Sequence, residues 1–208
     1  MRQGDKSGRS RAAILEAALQ LFSSQGYHGT SIRDVAKAAG VSTGNVYHHF
    51  ADKESIFRTL LDQYWTAIES PEFPFNRALA AGTFPDDLEA LARAAEESVR
   101  LWKRHVSLIY VDVVEFDGSH IHKFYAGMAN RFATFLERRF GSGGLAPKLR
   151  PGVSPLAAVM LVSRIFLQYF AVEILFGVPD QFGPATPETL REVSDILRHG
   201  MLPFPRRK

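Results

Sequence analysis

Cysteine is absent from this 208-residue chain, and charge of one sign is nearly so in the total: 25 Lys+Arg face 22 Asp+Glu. The first absence excludes a disulfide framework, cysteine-ligated zinc or iron–sulfur centres and a thiol nucleophile. Any core must therefore hold by packing alone. A long uncharged apolar run is missing as well. The most apolar stretch, Leu156 to Gly177, is interrupted by Ser163, Arg164, Gln168 and Glu173, and reads as a buried helix rather than a membrane span. The segment MRQGDKSGRS has no apolar stretch of the secretory type, so the expected location is the cytoplasm. No G-x-S-x-G, Walker loop, dinucleotide-binding glycine fingerprint or HExxH occurs, and no cofactor is called for.

What is present is enough for a sizeable core: 46% of residues are hydrophobic and 12% aromatic, too apolar for a disordered chain and long enough for one or two domains. The small net charge is unevenly placed. Arg2, Lys6, Arg9 and Arg11 against Asp5 give residues 1–11 the whole excess of +3, while 12–50 and 51–208 each balance. The stretch Arg2–Arg11 is expected to act as a flexible cationic arm toward a polyanion.

The first fifty residues read as three short helices. Ile14, Leu15, Ala18, Leu21 and Phe22 form one helical face, with Ser7 or Ser10 as the cap and Gly26 as the stop. Thr30 or Ser31 caps a second helix with Ile32, Val35, Ala36 and Ala39 as its buried stripe, and Gly40 supplies a left-handed residue for a sharp turn. Ser42 caps a third helix running to about Phe50. Two short helices joined by a glycine turn match the helix-turn-helix pattern. On the third helix Val46 and Phe50 face inward, whereas Thr43, Gly44, Asn45, Tyr47 and His48 offer hydroxyl, amide, phenol and imidazole groups to the outside. Such groups suit base edges and phosphates in a major groove.

Asp52 starts a fourth helix through Ile68, which Ser70–Pro74 interrupts. Further helices are expected over 85–103, through Phe116, over 119–140, over 155–176, and from a Thr186 cap to about Gly200, with GSGGLAP at 141–147 as a loop. Val106–Phe116 has a strand-like composition but sits among helices. The fold class is all-α: an N-terminal helix-turn-helix three-helix domain over 1–52, a connecting helix over 53–69 and a larger α-helical domain over 70–208.

The run Gly29–Phe50 (GTSIRDVAKAAGVSTGNVYHHF) followed by Asp52-Lys53-Glu54, with Leu21-Phe22 and Gly26-Tyr27 before it, closely resembles the DNA-binding domain of TetR-family transcriptional regulators. The resemblance covers about the first quarter of the chain. It implies a dimer that represses transcription until a small molecule binds its C-terminal domain. The resemblance, carried by residues 29–54, thus implies DNA binding for 1–52 and ligand binding, sensing and dimerisation for 70–208. By position in that motif, Thr43, Gly44, Asn45, Tyr47, His48 and His49 would face a palindromic DNA operator, beside the Ser42 cap. Thr43 and Asn45 would read bases, and Tyr47 and His49 would lean on phosphates. Lys53 would hold the backbone, Arg33 would reach a base or phosphate, and Thr30 or Ser31 would bind a phosphate.

Beyond residue 70 the reading is coarser. Trp102, Tyr110, Phe116, Tyr125, Phe132, Phe166, Tyr169 and Phe170 are candidate linings of a pocket for a lipophilic or aromatic effector. Ordinary helix packing accounts for most such rings. Asp112, Glu115 and Glu173 are charged groups in apolar surroundings, either contacting an effector or forming ion pairs, with Arg164 as the default partner. The helices near 155–177 and 186–200 are the expected homodimer interface. The alternatives are an enzyme built on Asp112, Glu115, His120 and His122, or an architectural DNA-binding protein, which ordinarily brings a broader basic surface. Asp117, His120 and His122 fit no metal-ligand spacing, so neither a catalytic residue nor a metal site is expected.

Deleting residues 1–9 is expected to weaken binding to any duplex and to flatten its salt dependence, as read by fluorescence anisotropy across a salt series. An unchanged salt slope would rule out the basic tip as a phosphate-binding element.

Overall fold

The computed structural model describes residues 3–81, 84–141 and 144–203, with backbone alone for residues 3–6. Among these residues every regular element is helical: α1 (Gln3–Gln25), α2 (Ile32–Ala39), α3 (Thr43–His49), α4 (Lys53–Glu69), α5 (Pro74–Ala80), α6 (Leu88–Leu101), α7 (Lys103–Phe116), α8 (His122–Phe140), α9 (Pro155–Leu175) and α10 (Thr186–Met201), plus a 3-10 turn over Ala146–Lys148. The backbone divides into two compact units, residues 1–66 with 104–124, and residues 67–103 with 125–208. This partition groups α7 with the helix-turn-helix, whereas the division at 52 and 70 follows expected function.

The first unit is built around Ile14, Ala18 and Phe22 of α1, Val35 of α2, Val46 of α3, and Ile56 and Phe57 of α4, all fully buried. Leu108 of α7 joins the same core. The helix ends are set locally. Gly26, at φ +79°, stops α1. Ser31 and Asp34 form a reciprocal capping box on α2. Gly40, at φ +67°, closes α2 in a Schellman turn, with Gly40 N–H to Lys37 O and Val41 N–H to Ala36 O. Ser42 Oγ accepts the Asn45 N–H at 3.1 Å. Asp52 accepts the Ser55 N–H at 2.6 Å at the head of α4.

α1 begins at Gln3, not at a Ser7 or Ser10 cap, so the expected flexible arm is helical from residue 3. A helix already nucleated by the apolar stripe extends N-terminally at little cost, and Gly4 and Gly8 oppose it by about 1 kcal/mol each. Arg9 and Arg11 are exposed on that helix. Arg2 and the Lys6 side chain lie outside the described residues.

In the second unit α6 packs along α9, with Leu88 and Ala92 meeting Val162, Phe166 and Phe170 in one buried cluster. Three boundaries differ from expectation. Pro74 starts a further short helix, α5, because proline is well placed in a first turn. α6 begins at Leu88, where Asp87 Oδ1 accepts the Ala90 N–H at 2.9 Å. Ala185 occupies the cap of α10 and Thr186 lies inside it, its hydroxyl donating to Glu173 Oε2 at 2.7 Å instead of capping. α9 is long and apolar enough to cross a membrane by length and composition, but Ala158, Val159, Val162 and Phe166 bury one side of it in the core. Arg164 lies on its exposed side, so it is not the buried partner expected for an acid.

His105 of α7 stacks on Tyr64 of α4, ring centroids 6.0 Å apart. Burial pushes its pKa from 6.5 to about 4, against the pull of Glu16. The ring is neutral in folded and unfolded chains above about pH 6.5. Between there and about pH 4 only the unfolded chain takes up the proton, so acid favours unfolding. The loss is about 2–3 kcal/mol, toward the lower end because the ring is partly exposed. Thermal melts between about pH 7 and 4 should fall less steeply for His105→Gln than for the native chain; parallel curves would refute the assignment.

Candidate nucleic-acid interface

α3 reaches its position because Val46 and Phe50 must be buried while Gly40 reverses the chain within two residues of the Ser42 cap. That geometry leaves Thr43, Gly44, Tyr47 and His48 exposed on one side, with Tyr47 58% accessible. This places a phenol on the same exposed side of a seven-residue helix as a hydroxyl, an imidazole and a glycine. His49 is half-buried, its ring against His48 and Phe50. Arg33 is exposed on α2. Arg11 lays its guanidinium over the Phe50 ring, 5.2 Å from the centroid, a cation–π contact that brings α1 to the end of α3.

Other expected contact residues are placed differently. Thr30 is buried, its hydroxyl donating to Gly26 O at 2.9 Å. Ser31 spends its hydroxyl on Asp34. The Asn45 amide oxygen is buried without a hydrogen-bond partner, so a two-point contact with adenine requires that amide to rotate outward. Lys53 turns inward: Nζ donates to Tyr27 O at 2.7 Å and Thr30 O at 2.8 Å and sits 4.0 Å from the Tyr27 ring centroid. Burial lowers its pKa, and the Glu115 carboxylate opposes the shift. Two of its three ammonium protons are thereby used.

The effector candidates also separate. In the first unit, Asp112 is fully buried and holds His120 Nδ1 at 2.5 Å and the Ile121 N–H at 3.1 Å. His120 Nε2 stands 3.4 Å from Glu54. Glu115 accepts from the Tyr27 and His28 N–H groups. Phe116 packs on Tyr27, Phe57 and His120. Asp112, Glu115 and Phe116 thus make their contacts within the helix-turn-helix unit. Tyr110 is half-buried on α7. The acid/histidine cluster does not assemble as one group: Glu115 goes to His28, while His122 is exposed on α8. Among the described residues no cluster suits a metal ion. In the second unit, Phe166, Tyr169 and Phe170 are core residues. Trp102 and Phe132 are half-buried against that core, and Tyr125 is exposed. Glu173 accepts the Thr186 hydroxyl.

Residues 14–60 match the family model described as bacterial regulatory proteins, tetR family. The chain is similar to the HTH-type transcriptional repressor AcnR of Corynebacterium glutamicum, 46% identical over 57 residues. The likeness to the TetR family is carried by this short segment of the chain. The match spans 27% of this chain and 30% of AcnR, less than a third of either protein. The TetR-type fold extends further. NalD, the secondary repressor of the MexAB-OprM multidrug efflux pump in Pseudomonas aeruginosa, superposes with a TM-score of 0.62 at 22% identity, covering 97% of this chain and 100% of NalD. AibR, solved in complex with isovaleryl coenzyme A and operator DNA, superposes with a TM-score of 0.58 at 21% identity, covering 91% of this chain and 97% of AibR.

The TetR-type surface and its support separate on mutation. Lys53→Met removes the ammonium from two carbonyls and should lower unfolding free energy by about 1–3 kcal/mol, whereas Tyr47→Ala should stay within about 0.5 kcal/mol of the native chain. Denaturant melts check both, and a Lys53→Met variant as stable as the native chain would show that the ammonium holds nothing.

Proposed function

We propose that this protein is a homodimeric transcriptional repressor that binds a palindromic operator through α3 and is released by a small-molecule effector. The observation that carries the reading is the exposed polar face of α3, held by two caps and the Gly40 turn, with a large phenol at its centre. Thr43 and Gly44 lie at the helix N-terminus, where free N–H groups and a slim first turn favour close approach to DNA. Tyr47 and His49 lean on phosphates, Arg33 flanks them, and Asn45 reads a base after its amide rotates. Lys53 keeps one ammonium proton for a phosphate. Arg9 and Arg11 add charge that carries no sequence information.

A seven-residue helix contacts few bases, so useful selectivity needs two copies reading half-sites about 34–36 Å apart or a multiple of that. Exposed Leu161 on α9, Phe176 just after it, Val178 and Phe182 in the following loop and Ile196 on α10 supply apolar surface for that pairing. The functional division is 1–52 for DNA, 53–69 as connector, and 70–208 for effector and partner. In the last part Trp102, Tyr125 and Phe132 remain candidates for an apolar effector. AibR, with its acyl thioester and operator DNA, makes acyl-CoA thioesters a first class to try. The protein acts in the cytoplasm, where its DNA is.

Selection from a random duplex pool should enrich an inverted repeat, and Tyr47→Ala should bind the enriched sequence at least about fivefold more weakly with an unchanged melting temperature. Light scattering at micromolar concentration should give the mass of two chains. A pool that enriches nothing, or a monomer mass, would overturn the reading.

A further inference from the structure

The turn between α1 and α2, Gly26 to Thr30, is held from both sides by opposite charges. Glu115 of α7 accepts the Tyr27 N–H at 3.0 Å on Oε1 and the His28 N–H at 2.6 Å on Oε2. His28 Nδ1 lies 2.6 Å from the same Oε2. Lys53 of α4 takes the carbonyls of Tyr27 and Thr30. The carboxylate thus satisfies two donors of the turn and the ammonium two of its acceptors. Phe116, the next residue on α7, closes the contact with its ring 4.5 Å from that of Tyr27. Gly26 leaves the space the carboxylate occupies: a Cβ there would stand 2.4 Å from Glu115 Oε1.

Thr30 is followed at once by Ser31, the cap of α2, and α3 packs on α1 and α2. A shift of the turn therefore changes where α2 starts and how α3 is aimed. We propose that Glu115 is a positioning residue for DNA reading: by capping two amides of the α1–α2 turn from α7, it sets the orientation of the recognition helix without touching DNA. The proposal rests on the DNA-binding reading above.

Glu115→Gln preserves shape but turns an NH2 group toward one of the two N–H donors, so one amide loses its acceptor. A role confined to folding would reduce the active fraction and lower binding to all DNA equally. A positioning role lowers binding to the selected sequence and spares binding to mixed-sequence DNA. The full-length native chain, Glu115→Gln and Glu115→Ala are compared by anisotropy at fixed salt on the selected duplex and on mixed-sequence duplex, with amide exchange at Tyr27 and His28 measured alongside. Expected for Glu115→Gln is a loss of about three- to thirtyfold on the selected duplex, less than about twofold on mixed sequence, and exchange at Tyr27 or His28 faster by at least about tenfold. If Glu115→Ala does not fold, the Gln variant decides. An unchanged ratio between the two duplexes, or unchanged exchange at both amides, overturns the proposal while leaving the DNA-binding reading intact. A native chain that enriches no sequence overturns both.

Discussion

Every turn between Gln25 and Lys53 is a helix end, and helix ends leave backbone N–H and C=O groups that must find partners. Satisfying them is the constraint on which the reading unit depends. α2 and α3 have eight and seven residues, too short to persist alone in water, so they exist because their ends are tied and their one apolar face is buried. Asp34, Ser42 and Asp52 tie ends from within the same few residues. At the α1–α2 turn no local side chain suffices for both signs of group, and the partners come from α4 and α7. The carboxylate there works against its own desolvation: burial raises the Glu115 pKa, but hydrogen bonds from His28 and Tyr27 prevail and hold it below the usual carboxylate value. It stays ionised, and its hold on the turn weakens only as acid protonates it.

This split between local and distant partners decides what could be read in advance. The Ser31 and Ser42 caps, the Gly40 turn and the inward Val46 and Phe50 were legible because each is determined within four or five residues. The helical state of Val106–Phe116 was legible from its neighbours despite a β-prone composition. Lys53 was not: its sequence position suits a phosphate contact, and nothing local shows that two carbonyls, 23 and 26 residues away, claim its ammonium. Glu115 and His28 are 87 residues apart, and no spacing rule links them. Acids in an apolar run left effector contact and ion pairing both open, and the donors that Asp112 and Glu115 meet, histidines and backbone amides, are not revealed by composition. Asn45 shows the limit of the helical wheel, which gives the direction of Cβ and not the rotamer that folded the amide oxygen inward. Where α1 began was equally hidden, because extension of a stable helix costs too little to leave a mark.

Asp112 illustrates how the first unit tolerates charge in its core. Desolvating a carboxylate costs several kcal/mol unless its lone pairs are filled. Here His120 and the Ile121 amide fill them, so removing either partner would leave a buried charge exposed to that cost. The His120 ring is itself packed between Phe57 and Phe116, and its second nitrogen stands near Glu54. The polar chain from Asp112 to Glu54 thus runs through an aromatic cluster and joins α7 to the first turn of α4, one residue from Lys53.

These two networks converge. Lys53 and Glu54 are adjacent on α4. One binds the turn that Glu115 also binds; the other faces the histidine that Asp112 orients. α7 therefore grips the reading unit twice, once at the α1–α2 turn and once at the head of α4, with Phe116 packed between the grips. A single hydrogen bond would let α7 pivot. Two polar grips on either side of a half-buried ring restrain it at two points. Packed, hydrogen-bonded contacts of this kind have discrete arrangements and no continuous give. Such a seating suits the positioning role proposed for Glu115, and it gives the charged residues within the apolar stretch Leu108–Phe116 their partners.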